Sequence, residues 1–475
     1  MDEFSVLIGG KAGDGIDKAG LVIAYILNRL GYYIYIYREY PSIIRGGHTF
    51  SIIRASKEKV FAHTDSVDVL LAINKETVDL HLERLKPVSA IVYEVKTVGD
   101  SLPTLGPDQK ALAVPVSTII KEEDAPPVTA NSVMIGALAK ALGIEWNVLE
   151  EVFRKKLLKA TEKNLSVARR GYDEVETCFK VNDLNQDGLP LLTGNEVLGL
   201  GLVKGGLNTY VAYPMTPTSN ILHFMAGNAD NFGLKVIHPE SEIGVILMAL
   251  GCAYTGECVA VGTSGGGFCL MTEGYSLAAM AQIPIVVVLG QRPGPSTGLP
   301  TYSSQTELNF ALSAGQGEFT RFVVAPGDSD ESYFWARMAL SAAARYKIPV
   351  IILTDKNLGE GIYSFEESSA AAAPVPELPD RDGKQLGKIN SYEHDENGIT
   401  TEDPDITKTM QDMRLAKVPE LAKELDDYTC VGIYGNTKSK TAILCWGSNK
   451  GVCVEVARSL DIKVIQPIVM SPAHE

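Results

Sequence analysis

Two stretches of this 475-residue chain, Ile283–Gly290 (IPIVVVLG) and Ile348–Thr354 (IPVIILT), are apolar at nearly every position. A strand with one wet face alternates polar and apolar residues. A strand that is apolar throughout must bury both faces. That requirement points to a parallel sheet with helices on each side, and it excludes a simple helical bundle or an open antiparallel sheet.

The rest of the chain fits this demand. Near the N-terminus, the strand Phe4–Ile8 runs into Gly9-Gly10-Lys11-Ala12-Gly13-Asp14-Gly15. A helix follows, with Ile16, Ala19, Ile23, Ile26, Leu27 and Leu30 at helical spacing, and Gly31 ends it. Tyr32–Tyr37, Val67–Ile73 and Ala90–Tyr93 read as further strands of a parallel sheet. Asn131–Leu142 and Glu150–Ala168 read as helices that close this first unit, and Asp183–Pro190 has turn composition. A second unit opens with a helix at Leu191. Its strands are expected at Tyr210–Ala212, Val236–His238, Cys258–Thr263, Ile285–Leu289, Phe322–Val324 and Val350–Leu353, with a helix from Pro239. Between Pro376 and Asp427 there are fourteen acids against seven Lys/Arg, which reads as an extended acidic linker. The strand Thr441–Trp446, the helix Val452–Leu460 and the strand Ile462–Ile465 follow. So short a piece cannot bury a core alone: either it docks on the rest, or the chain is the shortened version of something longer. The expected fold class is α/β with several parallel-sheet domains: 1–182, a linker at 183–190, 191–367, the acidic linker at 368–427, and a partial α/β domain at 428–475.

Composition narrows the partners. The charge sum is −15, which argues against general binding to a nucleic-acid backbone. The start, MDEFSVLIGG, carries acids where a secretory signal carries Lys/Arg. No stretch approaches the roughly 18–20 apolar residues of a spanning helix. The seven cysteines are odd in number and scattered, and none are spaced C-x-x-C. A reduced, cytoplasmic protein is expected.

Several loops could carry chemistry. The turn Gly9–Gly15 can present backbone amides to an anion at a helix start, or be only a tight turn. Arg45-Gly46-Gly47-His48 suits a phosphate or carboxylate clamp, or a solvent-facing loop, with His48 structural. In Tyr213-Pro214-Met215-Thr216-Pro217-Thr218-Ser219, Thr216 suits an N-cap and Pro217 the first helical position. The resulting helix start fits an anion site or plain capping. In His238-Pro239-Glu240-Ser241-Glu242, Glu242 leads an apolar helix, where a carboxylate needs a partner; Glu240 is the competitor. Gln291-Arg292-Pro293-Gly294-Pro295-Ser296-Thr297 follows a strand whose C-terminal end lies on the ligand-binding edge of such sheets, and Arg292 is the best carboxylate binder in the chain.

These motifs, in this order, resemble the α subunit of the 2-oxoacid:ferredoxin oxidoreductases, in the form with a γ domain fused at the N-terminus. The likeness rests on GGKAGDGI and REYPSIIRGGHTFS in the first unit. In the second it rests on GNEVLGLG, YPMTPTS, HPESEIG, GTSGGGFCLMTEG and QRPGPSTGLPT. The resemblance implies a γ-type domain, a thiamine-diphosphate-fold pyrimidine domain, and a partial domain like the transketolase C-terminal one. It implies that Glu242 activates the aminopyrimidine of thiamine diphosphate. Thr216, Arg292, Ser296 and Thr297 would hold the substrate, and Tyr213, Pro214, Gly265 and Gly266 the cofactor. Gly10, Gly13, Gly15 and Arg45 would face coenzyme A. No metal ligands are expected on this chain. Gly13-Asp14-Gly15 opens like a Mg–diphosphate motif, but 40–46 contains no Asn to complete it. By the resemblance, Mg²⁺ and a [4Fe–4S] cluster belong to a β subunit, and ferredoxin takes the electrons. The assembly would be an αβ heterodimer or (αβ)₂.

The leading expectation is therefore a subunit of an enzyme that oxidatively decarboxylates a 2-oxoacid of the 2-oxoglutarate or pyruvate type with coenzyme A. One alternative keeps the chemistry on aryl or branched 2-oxoacids, with Met215, Leu299 and Tyr302 lining the side-chain pocket. Another is a non-catalytic coenzyme A or nucleotide-binding module with an inactive thiamine fold.

Overall fold

Both continuous apolar runs become central strands of one sheet. In the computed structural model, which describes residues 1–42, 46–367 and 387–473, Ile285–Gln291 pairs in parallel with Val259–Ser264 on one side and Pro349–Asp355 on the other. The full order is Val469–Ser471, Phe322–Val324, Pro349–Asp355, Ile285–Gln291, Val259–Ser264, Thr209–Ala212, Lys235–Ile237. Only the edge strand Val469–Ser471 runs antiparallel to its neighbour. The two-residue period of a strand explains the composition. Val286, Val288, Val350 and Ile352 enter one core, with the helices Gly194–Lys204 and Ser329–Tyr346. Val287, Leu289, Ile351 and Leu353 enter the other, with the helices Glu242–Tyr254 and Gly265–Met280. Each strand feeds two cores, so no position along it can be polar without cost.

This sheet belongs to the second of two units, Thr193–Glu360 with Glu367–Glu475. The segment beyond residue 428 packs within this second unit. Its three strands, in the order Val431–Gly435, Lys463–Pro467, Ala442–Leu444, form a separate small sheet. Lys450, at the start of the helix Lys450–Leu460, is half-buried between Asp328 and Glu331, with both contacts at 2.5 Å. The second half of the stretch expected as linker is helical. Pro404–Leu415 is capped by Asp403, and Lys417–Leu425 buries Leu421 and Leu425 in the core. Two apolar residues one turn apart seat a helix whose other face carries Lys417, Glu420, Lys423 and Glu424.

The first unit, Met1–Leu192 with Gly361–Glu366, departs from an all-parallel sheet. Its order is Gln109–Val114, Leu85–Glu94, Val67–Ala72, Glu3–Lys11, His48–Ser56, Tyr33–Glu39, Ile362–Ser364, Leu191–Thr193. The first four are parallel. His48–Ser56 runs antiparallel to both Glu3–Lys11 and Tyr33–Glu39. It follows Tyr33–Glu39 after a short return, which suits antiparallel neighbours, whereas parallel ones need a long crossover. Gly46 and Gly47, at φ +84° and +76°, supply the left-handed turn. Ile362–Ser364 adds a strand from far along the chain.

Candidate functional site

The C-terminal ends of Thr209–Ala212, Val259–Ser264 and Ile285–Gln291 lie side by side, and the loops that leave them build the site. After Thr209–Ala212 the helix begins at Ser219, later than an N-cap at Thr216 would place it. Thr218 is the N-cap, so Pro217 lies before the helix and not at its first position. Thr218 turns inward instead, and its hydroxyl bonds to the carbonyls of Met215 at 3.0 Å and Thr263 at 3.2 Å. The space it fills is left by Gly290, where a Cβ would come within 2.6 Å of the Thr218 methyl. Thr216 is half-buried. Its carbonyl, not its hydroxyl, accepts a hydrogen bond from Nη1 of Arg292 at 2.9 Å.

Glu242 is the first residue of its helix and is buried, at 6% exposed. Ser241 caps the helix by accepting from the Gly244 N–H. Glu240 is exposed, which separates the two acids. No hydrogen bond or salt bridge joins the Glu242 carboxylate to a described residue. Tyr213 is half-buried, with its ring 6.1 Å from that of His238, and Pro214 is exposed.

The glycine run differs from a strand-end loop. Gly265, Gly266 and Gly267 are the first residues of the helix Gly265–Met280, and three site elements close on them. A Cβ at Gly265 would meet Glu307 Oε1 at 2.5 Å. At Gly266 it would meet the Ser296 carbonyl at 3.3 Å. At Gly267 it would meet Thr263 Oγ1 at 2.2 Å and Glu242 Oε1 at 2.8 Å. A helix start stripped of side chains, with its N–H groups directed outward, is a seat for a polar ligand.

Arg292 is buried, and burial pushes its pKa down, opposed by the charges of Glu307 and Glu242. Among the described residues its Nε has no hydrogen-bond partner, nor do the buried hydroxyls of Ser264 and Thr301. Ser296 and Thr297 are exposed on the loop that follows, and Ser296 is held at φ +55°. The far end of that loop is anchored by Gln305. Its amide donates to the Trp446 carbonyl at 2.8 Å and accepts from Asn449 at 2.7 Å.

The structure thus brings Glu242, Arg292, Thr216, Gly265 and Gly266 together. Glu307, which sequence reasoning passed over, joins them. Its only signal was an acid directly before an apolar helix, where many acids serve merely as caps.

The remaining candidates lie in the first unit. Gly10 is buried in a strand, and Gly13 and Gly15 adopt φ +101° and +75°. The turn is closed by Asp14, whose carboxylate accepts from the Lys11 N–H at 3.0 Å, and by Asn131, which donates to the Asp14 carbonyl at 2.8 Å. Arg45 lies outside the described residues. His48 is paired, its Nε2 standing 2.8 Å from Nε2 of His81. Burial, then His48 and Arg84, push His81 down to about 3.

Family models match in the same order as the units. Residues 5–174 match pyruvate ferredoxin/flavodoxin oxidoreductase, and residues 201–412 match its thiamine-diphosphate-binding part. The α subunit of 2-oxoacid:ferredoxin oxidoreductase from Saccharolobus solfataricus is 29% identical over 98% of this chain and 86% of its own length. The chain belongs to the family of 2-oxoacid:ferredoxin oxidoreductase α subunits. A 2-oxoglutarate synthase subunit from Archaeoglobus fulgidus is 33% identical over 45% of this α-type chain and 63% of its own length. A solved 2-oxoglutarate:ferredoxin oxidoreductase from Magnetococcus marinus, with 2-oxoglutarate, coenzyme A and succinyl-CoA bound, superposes with a TM-score of 0.88. It is 27% identical and covers 100% of this chain and 89% of that one. The α-type chain is one subunit of a heteromeric oxidoreductase. Among its described residues no helix is long and apolar enough to cross a membrane.

Proposed function

We propose that this chain supplies the aminopyrimidine-facing half of a thiamine-diphosphate site, and with it the substrate-binding loop of a coenzyme A-dependent 2-oxoacid oxidoreductase. The observation that carries this reading is Glu242. A carboxylate at 6% exposure that makes no hydrogen bond or ion pair to a described residue, at the head of a helix and against a glycine, is placed to take its partner from outside the chain. An aminopyrimidine ring nitrogen is such a partner. The other features fit the same group: the side-chain-free helix start at Gly265 and Gly266, and the unpartnered Ser264 hydroxyl and Arg292 Nε. Bound thiamine diphosphate supplies an electron sink for the bond broken at the 2-oxo carbon.

This chain's residues divide the work. Glu242 holds or releases a proton at the ring nitrogen. Tyr213, Pro214, Gly265 and Gly266 line the ring's seat. Arg292 pairs with the substrate carboxylate, helped by Thr216, Ser296 and Thr297, and that pairing weakens as the carboxylate leaves as neutral CO₂. The Magnetococcus enzyme binds 2-oxoglutarate and coenzyme A, which supports the 2-oxoglutarate-type reading. The exposed Leu299 and Tyr302 on the substrate loop favour a second one, in which apolar side chains on the 2-oxoacid are accepted.

The partner is a β-type subunit. Ile243, Leu247, Met248 and Leu270 are each about half exposed on the two helices that flank Glu242. Such an apolar strip calls for a covering surface. That surface would bring Mg²⁺, the diphosphate site and the [4Fe–4S] cluster, and pass electrons to ferredoxin, in an αβ or (αβ)₂ assembly in the cytoplasm. The first unit acts as a fused γ-type domain with Gly10, Gly13, Gly15 and Arg45 toward coenzyme A. The test is turnover of a 2-oxoacid by this chain with and without a β-type subunit. Turnover by the chain alone refutes the half-site.

A further inference from the structure

The loop that carries the candidate substrate-binding residues is closed at its neck. It leaves the strand Ile285–Gln291 at Arg292, and the Thr306 hydroxyl donates back to the Arg292 carbonyl at 3.5 Å. Between these ends the chain doubles on itself. The N–H of Leu299 donates to the Pro293 carbonyl at 3.0 Å, and that of Tyr302 to the Leu299 carbonyl at 3.1 Å. Such internal bonds set the shape of a loop, whereas contacts outside it set its place on the scaffold.

At the far end the outside contact is Gln305, which is half-buried. Both ends of its amide are held by a segment 141–144 residues further along the chain. Nε2 donates to the Trp446 carbonyl at 2.8 Å, and Oε1 accepts from Nδ2 of Asn449 at 2.7 Å. Gly447 lies between those two partners at φ +57°, and a Cβ there would stand 2.7 Å from Gln305 Nε2. The seat is thus shaped to the amide. It is also anchored from below. The Ser448 hydroxyl donates to Oδ2 of Asp355 at 2.6 Å. Asp355 is 1% exposed and ends the strand Pro349–Asp355, directly opposite Gln291, the residue before the loop. Lys450 follows, paired with Asp328 and Glu331. Both ends of the loop are therefore referred to the same two central strands. The start is joined directly, and the far end through Gln305 and residues 446–449.

We propose that Gln305 is a positioning residue for the substrate, and that residues 446–449 are the seat through which the C-terminal piece fixes the loop and its choice of 2-oxoacid. This deepens the functional reading above and rests on it, because Arg292, Ser296 and Thr297 meet the substrate only in that reading. Gln305 itself touches neither substrate nor cofactor. Without it the loop keeps its internal bonds but shifts on the scaffold. The 2-oxoacid then binds less tightly, and its side chain is discriminated less sharply against Leu299 and Tyr302. Coenzyme A, assigned to the first unit, is unaffected.

The test is steady-state kinetics of the complex with its partner subunit, using 2-oxoglutarate and the branched 2-oxoisovalerate. In Gln305→Ala the KM of the better substrate rises by about 5–50-fold, the worth of two neutral hydrogen bonds. The ratio of kcat/KM between the two substrates shrinks by at least about threefold, while the KM for coenzyme A stays within about twofold. Asn449→Ala, at an exposed position remote in sequence from the loop, removes one bond and raises KM by about 2–10-fold. The double variant adds little to Gln305→Ala, because the shared bond is already lost. Multiplying effects in the double variant, or equal losses for both 2-oxoacids and coenzyme A, overturn the proposal. Hydrogen exchange of the full chain gives a readout without turnover. Backbone amides between 294 and 304 exchange faster in both single variants than in the native chain. Unchanged exchange refutes the clamp. Loop exchange that responds to both variants, in a native complex that turns over neither 2-oxoacid, upholds the clamp and sinks the functional reading instead.

Discussion

A single methyl group at Gly267 should separate the fold from the chemistry. Gly267 lies in the first turn of the helix Gly265–Met280, where alanine is a better helix former than glycine by about 1 kcal/mol. The added Cβ would stand 2.2 Å from Thr263 Oγ1 and 2.8 Å from both Cγ and Oε1 of Glu242, against the 3.4 Å at which ordinary contact begins. Thr263 is fully buried on a central strand, so the helix start must shift away from it, and the Glu242 side chain that rests on the same glycine shifts with it. Overpacking of this kind costs about 1–3 kcal/mol. After the helix gain, the net loss for Gly267→Ala is about 0–2 kcal/mol, or a thermal midpoint lowered by a few degrees at most. Displacing a reacting group by about 1 Å costs on the order of 100-fold in rate. The assay is 2-oxoacid turnover in the reconstituted complex beside thermal unfolding of the same sample. Gly227→Ala, where nothing lies within 4 Å of the new methyl, serves as the control with native turnover. If Gly267→Ala unfolds normally and turns over within twofold of native, Glu242 does not need its position and the reasoning fails.

Arg292→Lys should raise the KM for the 2-oxoacid by about 10–100-fold, since a planar, charge-assisted pairing is worth about 1.5–3 kcal/mol. Thr216→Ala should change KM by less than about threefold, because Arg292 binds the Thr216 carbonyl rather than its hydroxyl; steady-state kinetics of the two variants decide this. In the first unit, His81 is held near 3 by burial, with His48 and His63 also lowered. A histidine kept neutral when folded but free to protonate when unfolded contributes stability above about pH 6.5, and loses it as pH falls toward 3. The loss approaches about 1.4 kcal/mol per pH unit. The thermal midpoint of the native chain should therefore fall from about pH 7 to about pH 5, and His81→Phe should fall less steeply. Equal slopes would show that the buried pair does not carry the effect.

The sheet of the second unit was legible because its chemistry is one-sided. Val, Ile and Leu in unbroken runs have one stable environment, and Phe322–Val324 stands where its residues placed it. The antiparallel strand His48–Ser56 was hidden because its partners are set by a short turn, not by a pattern of its own. Ile362–Ser364 pairs with Tyr33–Glu39 across more than three hundred residues, which no local signal encodes. At the site, Glu242 and Arg292 were visible as charges where apolar neighbours made charge expensive. The role of Thr216 was misread because capping is a local rule, whereas Thr218 is drawn down by space beneath it on the sheet. Glu307 was invisible for a related reason. It is set against Gly265, which is distant from it in sequence.

Replacing Glu242 by alanine in the assembled enzyme tests the account most directly. Glu242 makes no hydrogen bond or ion pair to a described residue, so its removal should leave the thermal midpoint close to native. Turnover should drop by about 10²–10⁴-fold, the contribution of a positioned proton-transfer group. A well-folded Glu242→Ala complex that keeps turnover within a few-fold of native would contradict it.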